Sequence, residues 1–217
     1  MPAIGWICGE LYRLGLLREL EQTLGRAGIA PIAGVDEAGR GGLAGPVVAA
    51  AVIPSDGPPL PGVDDSKQLE PEERRRLAAE IRATARAWAV GVVSAAAIDA
   101  GNILRATRLA MLRAVAALDP RPAFLLVDAV PLPESGLPCL ALVKGDSLVY
   151  AVACASILAK DERDRRMVEL DRVYPHYGFV RHKGYAVPEH IAALERFGPS
   201  PEHRLTFASV VPREECA

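Results

Sequence analysis

Residues 32–53 read IAGVDEAGRGGLAGPVVAAAVI, two apolar runs that flank a glycine-rich segment. The run from Ile32 to Glu37 and the run from Gly45 to Pro54 predict two buried strands, and the glycines between them predict a turn. The first run ends in two carboxylates, which are seldom buried unless they are paired. This stretch therefore predicts a sheet with a polar site at its edge.

Helical and strand patterns alternate on both sides of this stretch. A leucine-rich helical pattern covers residues 9–27 and stops at Gly28. Further helices are predicted over 71–87, 95–118 (broken near Gly101), 147–173 and 188–197, and further strands over 88–94, 123–128 and 139–143. Continuous apolar strands followed by helices favour an α/β fold whose sheet is covered on both faces. We expect an N-terminal helical extension over residues 1–30 and a main domain over 31–217.

The composition limits the class of protein. The chain has 217 residues, half of them hydrophobic and 24% charged, with a formal net charge of −2. These values exclude a disordered chain, and a net charge near zero means that nucleic-acid binding would need a local basic patch. The longest uncharged run, residues 41–55, has 15 residues, too few for a membrane helix. The N-terminus lacks the basic start of a secretory signal, so we expect a cytoplasmic protein without membrane association.

The cysteines do not form a metal-binding pattern. Their spacing contains no close pair suited to zinc, which agrees with a reduced cytoplasmic environment. Cys154 lies in the apolar half of a predicted helix, where a core position is the simpler interpretation. The four cysteines are Cys8, Cys139, Cys154 and Cys216.

Four acidic residues stand next to apolar segments, where carboxylates lose hydration. Asp36 and Glu37 end the first strand, Asp128 ends another, and Asp146 precedes a long helix. Convergence of all four would favour a divalent cation, because Mg²⁺ prefers oxygen ligands and relieves their repulsion. Each aspartate alone also suits a turn, and Asp146 suits a helix cap. Adjacent strand residues face opposite sides, so Asp36 and Glu37 can share a site only if the strand ends or bulges there.

Two further segments have the composition of a phosphate or sugar contact. Gly39-Arg40-Gly41-Gly42 could present backbone N–H groups and a guanidinium to a phosphate, although a tight hairpin turn explains the glycines equally well. Residues 181–185, RHKGY, form a small basic patch with a tyrosine that could stack on a sugar or base, although an ordinary surface loop is the commoner explanation of the patch alone. Lys67 could meet a phosphate or simply be a solvated loop residue.

The later half of the long predicted helix has alternating charges. This alternation with acidic residues predicts a salt-bridged helix face, which would include Arg163, Arg165, Arg166 and Arg172.

Taken in order, these motifs resemble bacterial ribonuclease HII, the type 2 ribonuclease H family. The resemblance extends from about Ile32 to Val210, and the helical pattern over residues 9–27 precedes the usual start of the family. The segments that carry it are GVDEAGRGGLAGPV (34–47), DSKQL (65–69), NILRAT (102–107), LVD (126–128), KGDS (144–147), ASILAK (155–160) with Arg163-Asp164, and HKGY (182–185).

The resemblance implies an RNase H-like fold, a mixed central sheet flanked by helices with a C-terminal helical part. It implies an endonuclease that cleaves RNA in RNA–DNA hybrids and single ribonucleotides embedded in duplex DNA, leaving 5′-phosphate and 3′-hydroxyl ends. By resemblance, Asp36, Glu37, Asp128 and Asp146 are the catalytic metal site for Mg²⁺ or Mn²⁺. Gly39, Arg40 and Gly41 contact the ribonucleotide and its phosphates, Tyr185 reads the RNA-to-DNA junction, and Lys67 is a weaker phosphate contact.

Three other functions are open on the sequence. A related hybrid nuclease would need a run of ribonucleotides, a binding module would hold the hybrid without cutting it, and a phosphohydrolase would act on a small molecule. Metal-dependent cleavage at an RNA-to-DNA junction would distinguish the ribonuclease HII activity from all three alternatives. We expect a monomer and a role in ribonucleotide removal from DNA.

Overall fold

The computed structural model describes residues 4–210 and consists of one five-stranded sheet between helices. The strands are β1 (Ile32–Ala38), β2 (Val47–Ile53), β3 (Ala87–Val93), β4 (Phe124–Asp128) and β5 (Cys139–Leu142). The helices are α1 (Ile4–Arg26), α2 (Pro71–Thr84), α3 (Ala95–Asp99), α4 (Ile103–Ala116), α5 (Gly145–Leu148), α6 (Tyr150–Val173), α7 (Phe179–His182) and α8 (Pro188–Phe197). Two single-turn 3₁₀ helices cover Pro133–Ser135 and Pro175–Tyr177. Cys216 lies outside the described residues.

The sheet is mixed, as predicted. The strand order is β3-β2-β1-β4-β5. The pairs β1–β2 and β2–β3 are antiparallel, and the pairs β1–β4 and β4–β5 are parallel. The pairing of β1 with β4 ends at Val35 opposite Val127. Asp36 and Asp128 each follow that last pair by one residue. Register alone therefore brings two of the predicted carboxylates to the same edge of the sheet.

Both faces of the sheet are covered, because successive residues of β2 alternate between two apolar layers. Ala49 and Ala51 pack in the layer that contains α4, whereas Ala50 and Val52 pack in the layer that contains α2 and α6. The long helix approaches the sheet closely at Gly34, where an added Cβ would lie 2.1 Å from the Ala151 carbonyl carbon. This glycine lets α6 lie directly against β1.

The predicted helix over 147–173 is two helices in the structure. Val149 has extended backbone angles (φ −136°, ψ 125°) and separates α5 from α6. Asp146 lies inside α5 and does not cap either helix; the residue before α5 is Lys144. The break lets α5 lie across the end of β4, with the Gly145 N–H donating to Asp128 Oδ1 at 2.7 Å. The expected break near Gly101 is confirmed, since Asn102 caps α4 by accepting from the Arg105 N–H.

The N-terminal helix packs against the main body of the protein. Leu14 and Leu17 of α1 are buried in the layer that includes Leu77 and Tyr150. Glu21 Oε1 accepts a hydrogen bond of 2.6 Å from the Ala151 N–H in the first turn of α6. The division at residue 30 remains a prediction. Among residues 4–210, no helix has the length and apolar character to cross a membrane.

Replacement of Glu21 by glutamine should stabilise the protein above neutral pH. Burial raises the pKa of the Glu21 carboxyl to about 7, against the Ala151 N–H and Arg18, which favour the ionised form. A raised carboxyl pKa means that the folded state loses stability as pH rises from about 4.5 to about 7. Glutamine keeps an acceptor for the Ala151 N–H without that charge. The free energy of unfolding of Glu21→Gln should therefore exceed that of the wild type by about 2–3 kcal/mol at pH 8.

Urea unfolding at pH 5 and pH 8 measures this effect. The exposed Glu19 on the same helix provides the control Glu19→Gln, which should change stability little at either pH. If Glu21→Gln were no more stable than the wild type at pH 8, the ionised Glu21 carboxylate would not destabilise the folded protein.

Candidate active site

Three carboxylates converge beyond the last β1–β4 pair. Asp36, Glu37 and Asp128 each place one oxygen within 4.8 Å of the others. The strand does not bulge, because Asp36 and Glu37 stay in register with Ala50 and Ala49 of β2. The end of the pairing with β4 instead leaves this edge of β1 open, and both adjacent carboxylates reach it. Asp36 is 3% exposed, and its Oδ1 accepts the Glu37 N–H at 2.7 Å.

The electrostatics of the cluster are unfavourable without a cation. Burial raises the pKa of Asp36 well above its usual range, and the charges of Glu37 and Asp128 raise it further. Burial also raises the pKa of Glu37 against the opposing Arg40 guanidinium. The pKa of Asp128 is raised by burial despite the Gly145 N–H that its oxygen accepts. Three neighbouring carboxyl groups therefore resist ionisation together.

Asp146 lies beside this cluster and is paired with a lysine. It is 3% exposed on α5, and its Oδ2 lies 3.2 Å from Lys67 Nζ. Burial alone would lower the pKa of Lys67, but its hydrogen bond and ion pair with Asp146 outweigh burial and raise that pKa. The charge of Asp146 also raises the pKa of Asp36, so this fourth predicted carboxylate lies near the cluster, beside the three whose oxygens meet within 4.8 Å.

The donor set fits a divalent cation. Glu37 Oε2 is buried and has no hydrogen-bond partner in the described part of the chain. A buried anionic oxygen without a partner is costly, and a hard cation with oxygen ligands satisfies it. Asp36, Glu37 and Asp128 together offer oxygens for such an ion, and Asp146 lies beside them.

The glycine-rich segment lies next to the carboxylates. Arg40 is exposed, and its Nη1 lies 3.3 Å from Glu37 Oε1. Gly39 has a φ of +95°, and a Cβ on Gly41 would meet no atom within 4 Å. The segment thus has one glycine that its backbone conformation requires and one that leaves room for a ligand.

Tyr185 is brought to the same segment by backbone contacts. The Leu43 N–H donates to the Gly184 carbonyl oxygen at 2.7 Å. The half-buried Tyr185 ring lies 4.9 Å from the Arg163 guanidinium carbon and 5.4 Å from Lys160 Nζ. Contacts thus connect the predicted substrate-binding residues to the region around the carboxylates. Lys67 meets Asp146, Arg40 meets Glu37, and the residue before Tyr185 meets Leu43.

The structure corrects the interpretation of Arg163. Arg165 and Arg166 do pair with Glu162 on α6, as the alternating charges predicted. Arg163, however, is fully buried and donates to backbone carbonyls. Arg204, which the sequence analysis did not single out, has the same character. An isolated arginine in an irregular tail gives no periodic signal, so nothing in the sequence pointed to it.

The fold and the acidic site define a class, the metal-dependent phosphodiester hydrolases with an RNase H-like fold. The profile of the Ribonuclease HII family matches residues 33–210, and the chain belongs to that family. It is therefore a nuclease of the ribonuclease H type.

Individual relatives agree with the family assignment. Ribonuclease HII of Geobacillus kaustophilus is 56% identical over 194 residues, which cover 89% of this chain and 74% of the relative. Ribonuclease HII of Solibacter usitatus is 53% identical, covering 88% and 83%. The crystal structure of ribonuclease H2 from Pyrococcus horikoshii OT3 superposes with a TM-score of 0.72 at 27% identity, covering 82% of this chain and 94% of that one. The predicted RNase H-like fold is thus confirmed.

Proposed function

We propose that this chain is an endonuclease that cleaves RNA in RNA–DNA hybrids and also cuts duplex DNA 5′ to a single embedded ribonucleotide. The products would be a 5′-phosphate and a 3′-hydroxyl, and the role would be removal of ribonucleotides from DNA. The observation that carries the proposal is the juxtaposition of a buried carboxylate cluster with an open glycine segment and a half-buried tyrosine at one sheet edge.

The carboxylates would hold the cations in this reaction. Asp36, Glu37 and Asp128 supply the oxygens within 4.8 Å of one another, and Asp146 adds a buried carboxylate beside Lys67. Mg²⁺ or Mn²⁺ bound there would activate water and stabilise charge on the phosphate in the transition state. The raised pKa values of the three clustered carboxyls mean that binding of the cation is coupled to loss of protons.

The neighbouring residues would bind the scissile phosphate and its sugar. Gly39 and Gly41 let backbone N–H groups approach a phosphate, and the exposed Arg40 adds a fork of donors. The exposed Lys67 ammonium lies beside Asp146 and could contact a phosphate oxygen at the same edge. Positive charge here is local, which suits a protein whose net charge is −2.

Tyr185 would distinguish RNA from DNA. Its ring lies against the cations of Lys160 and Arg163, which limits its orientations. A tyrosine can stack on a sugar while its hydroxyl bonds the 2′-hydroxyl that only RNA has.

Cleavage of defined duplexes tests the proposal. The substrates are a DNA duplex with one ribonucleotide, an RNA–DNA hybrid and an all-DNA duplex, each with Mg²⁺, Mn²⁺ or EDTA. We expect metal-dependent cutting of the first two, with 5′-phosphate ends on sequencing gels, and no cutting of the third. If the hybrid were cut but the single ribonucleotide spared, the enzyme would be the related nuclease that needs a run of ribonucleotides.

Removal of the Tyr185 hydroxyl should weaken recognition of the ribonucleotide. Tyr185→Phe keeps the ring and loses one hydrogen bond, worth about 1–1.5 kcal/mol, so kcat/KM on the single-ribonucleotide duplex should fall roughly tenfold. Tyr12, which is 71% exposed on α1, provides the control Tyr12→Phe with no expected change. Unchanged kcat/KM for Tyr185→Phe would remove the hydroxyl from the recognition of RNA.

A further inference from the structure

Two arginine side chains lie fully buried beneath the segment that we propose to contact substrate. Arg163 and Arg204 are both 0% exposed, and neither forms an ion pair in the part of the chain that the structure describes. Burial lowers the pKa of the Arg204 guanidinium to about 9, with the neighbouring Arg163 charge as a further cause, so it stays protonated at neutral pH. Unpaired buried cations are costly and are kept only where their hydrogen bonds are needed.

Arg204 binds three carbonyl groups of the glycine-rich segment. Its Nη2 donates to the Gly39 carbonyl at 2.8 Å, and its Nη1 donates to the Arg40 carbonyl at 2.9 Å. The Nε and Nη2 atoms also donate to the Gly45 carbonyl at 3.1 and 2.9 Å. One planar guanidinium thus fixes the start and the end of residues 39–45.

Arg163 joins that segment to the loop that carries Tyr185. It donates to the Ala44 carbonyl at 3.3 Å and to the Lys183 carbonyl at 2.9 Å. Its guanidinium also lies 4.9 Å from the centre of the Tyr185 ring. A Cβ on Gly39 would lie only 1.9 Å from Arg163 Nε, so this glycine is needed for the segment to rest on the arginine.

We infer that Arg163 and Arg204 are positioning residues for ribonucleotide recognition, which hold residues 39–45 and Tyr185 in one fixed geometry. The inference rests on the proposed function of those two segments. Neither arginine touches the acidic cluster through any hydrogen bond in the described residues, so the metal site should not depend on them.

Hydrogen exchange of the free protein tests the positioning itself, without substrate. Arg204→Lys keeps a basic side chain but cannot span three carbonyls, because an amine lacks the planar fork of a guanidinium. We expect faster exchange of amides in residues 39–45 and 183–187, with unchanged exchange in β2 and α4. Unchanged exchange in the two loops would overturn the inference, whether or not the wild type cuts ribonucleotides.

Kinetics then separate positioning from a general structural effect. On the single-ribonucleotide duplex, Arg204→Lys should raise KM about tenfold or more while the metal concentration for half-maximal activity stays the same. The comparison variant is Met111→Ala, in the buried layer with α4, because it should destabilise the fold without touching either loop. If Met111→Ala lowered the melting temperature as much as Arg204→Lys and raised KM equally, the effect of Arg204 on KM would come from general destabilisation. Arg204 would then not be a positioning residue.

A double-mutant cycle tests whether Arg163 acts through Tyr185. Arg163→Met and Tyr185→Ala should each lower kcat/KM on the single-ribonucleotide duplex about tenfold or more, and the double variant should lie within about twofold of Tyr185→Ala. If the losses in kcat/KM of the two single variants multiplied in the double variant, the inference for Arg163 would be wrong. If the wild type cut no ribonucleotide at all, the proposed function would fail, and the exchange experiment would still decide the positioning.

Discussion

Asp36→Asn should remove nearly all turnover while leaving the fold intact. Asp36 is the most buried member of the carboxylate cluster and belongs to the strand that organises it. Asparagine keeps the shape and the acceptor oxygen but removes the anionic ligand, so kcat on the single-ribonucleotide duplex should fall at least about a thousandfold, or ~4 kcal/mol in the barrier. Burial, together with the charges of Glu37 and Asp128, raises the pKa of Asp36. The fold should persist because the ionised carboxylate is a cost in the metal-free protein.

Metal binding gives a readout that does not depend on activity. Mn²⁺ should raise the melting temperature of the wild type, because a ligand that binds only the folded state stabilises it, and should raise that of Asp36→Asn much less. Asp56→Asn removes an exposed carboxylate from a loop and should behave as the wild type in both measurements. Substantial turnover by Asp36→Asn would remove this carboxylate from the metal site.

Gly34→Ala should cause the largest loss of stability among single methyl additions in β1. The added Cβ would lie 2.1 Å from Ala151 C and 2.4 Å from Val152 N, which are backbone atoms of α6 that cannot move alone. Overpacking against a backbone forces the helix away from the sheet, so we expect about 3 kcal/mol of destabilisation and a melting temperature lower by roughly 6–12 °C. Thermal unfolding measures both.

This variant also tests how the sheet positions the site. Displacement of the first turn of α6 moves the adjoining α5, so activity should fall along with stability at temperatures where the variant is still folded. Gly15→Ala adds the same methyl on α1, where nothing lies within 4 Å, and should be neutral or stabilising by up to about 1 kcal/mol. A wild-type melting temperature for Gly34→Ala would mean that α6 does not rest against β1 as described.

Much of the architecture could be predicted from local patterns. Apolar runs indicated the five strands, and glycine, proline and polar residues indicated helix ends. These signals are local, because each residue type has its own preference for burial and backbone conformation. The carboxylates stood out for the same reason: a charge at the end of a buried strand contradicts its surroundings. Family motifs then connected Asp36, Glu37, Asp128 and Asp146 before any distance was known.

Other features depended on contacts that no local pattern encodes. The extended backbone at Val149 divides a segment whose sequence reads as one helix, because α5 must lie across the end of β4. Asp36 and Glu37 share a site because β4 stops pairing there, which is a property of the neighbouring strand.

The clearest case is the pair of buried arginines. The sequence placed Arg163 on a salt-bridged surface and gave no role to Arg204, whereas the structure buries both against carbonyls as far as 165 positions away in the chain. A sequence shows the residue types and their periodicity, so it determined the five strands, most of the helices and which carboxylates stand next to buried segments. Only the tertiary structure decided which carbonyls meet each guanidinium, because every residue has a carbonyl and chain folding alone selects the partner.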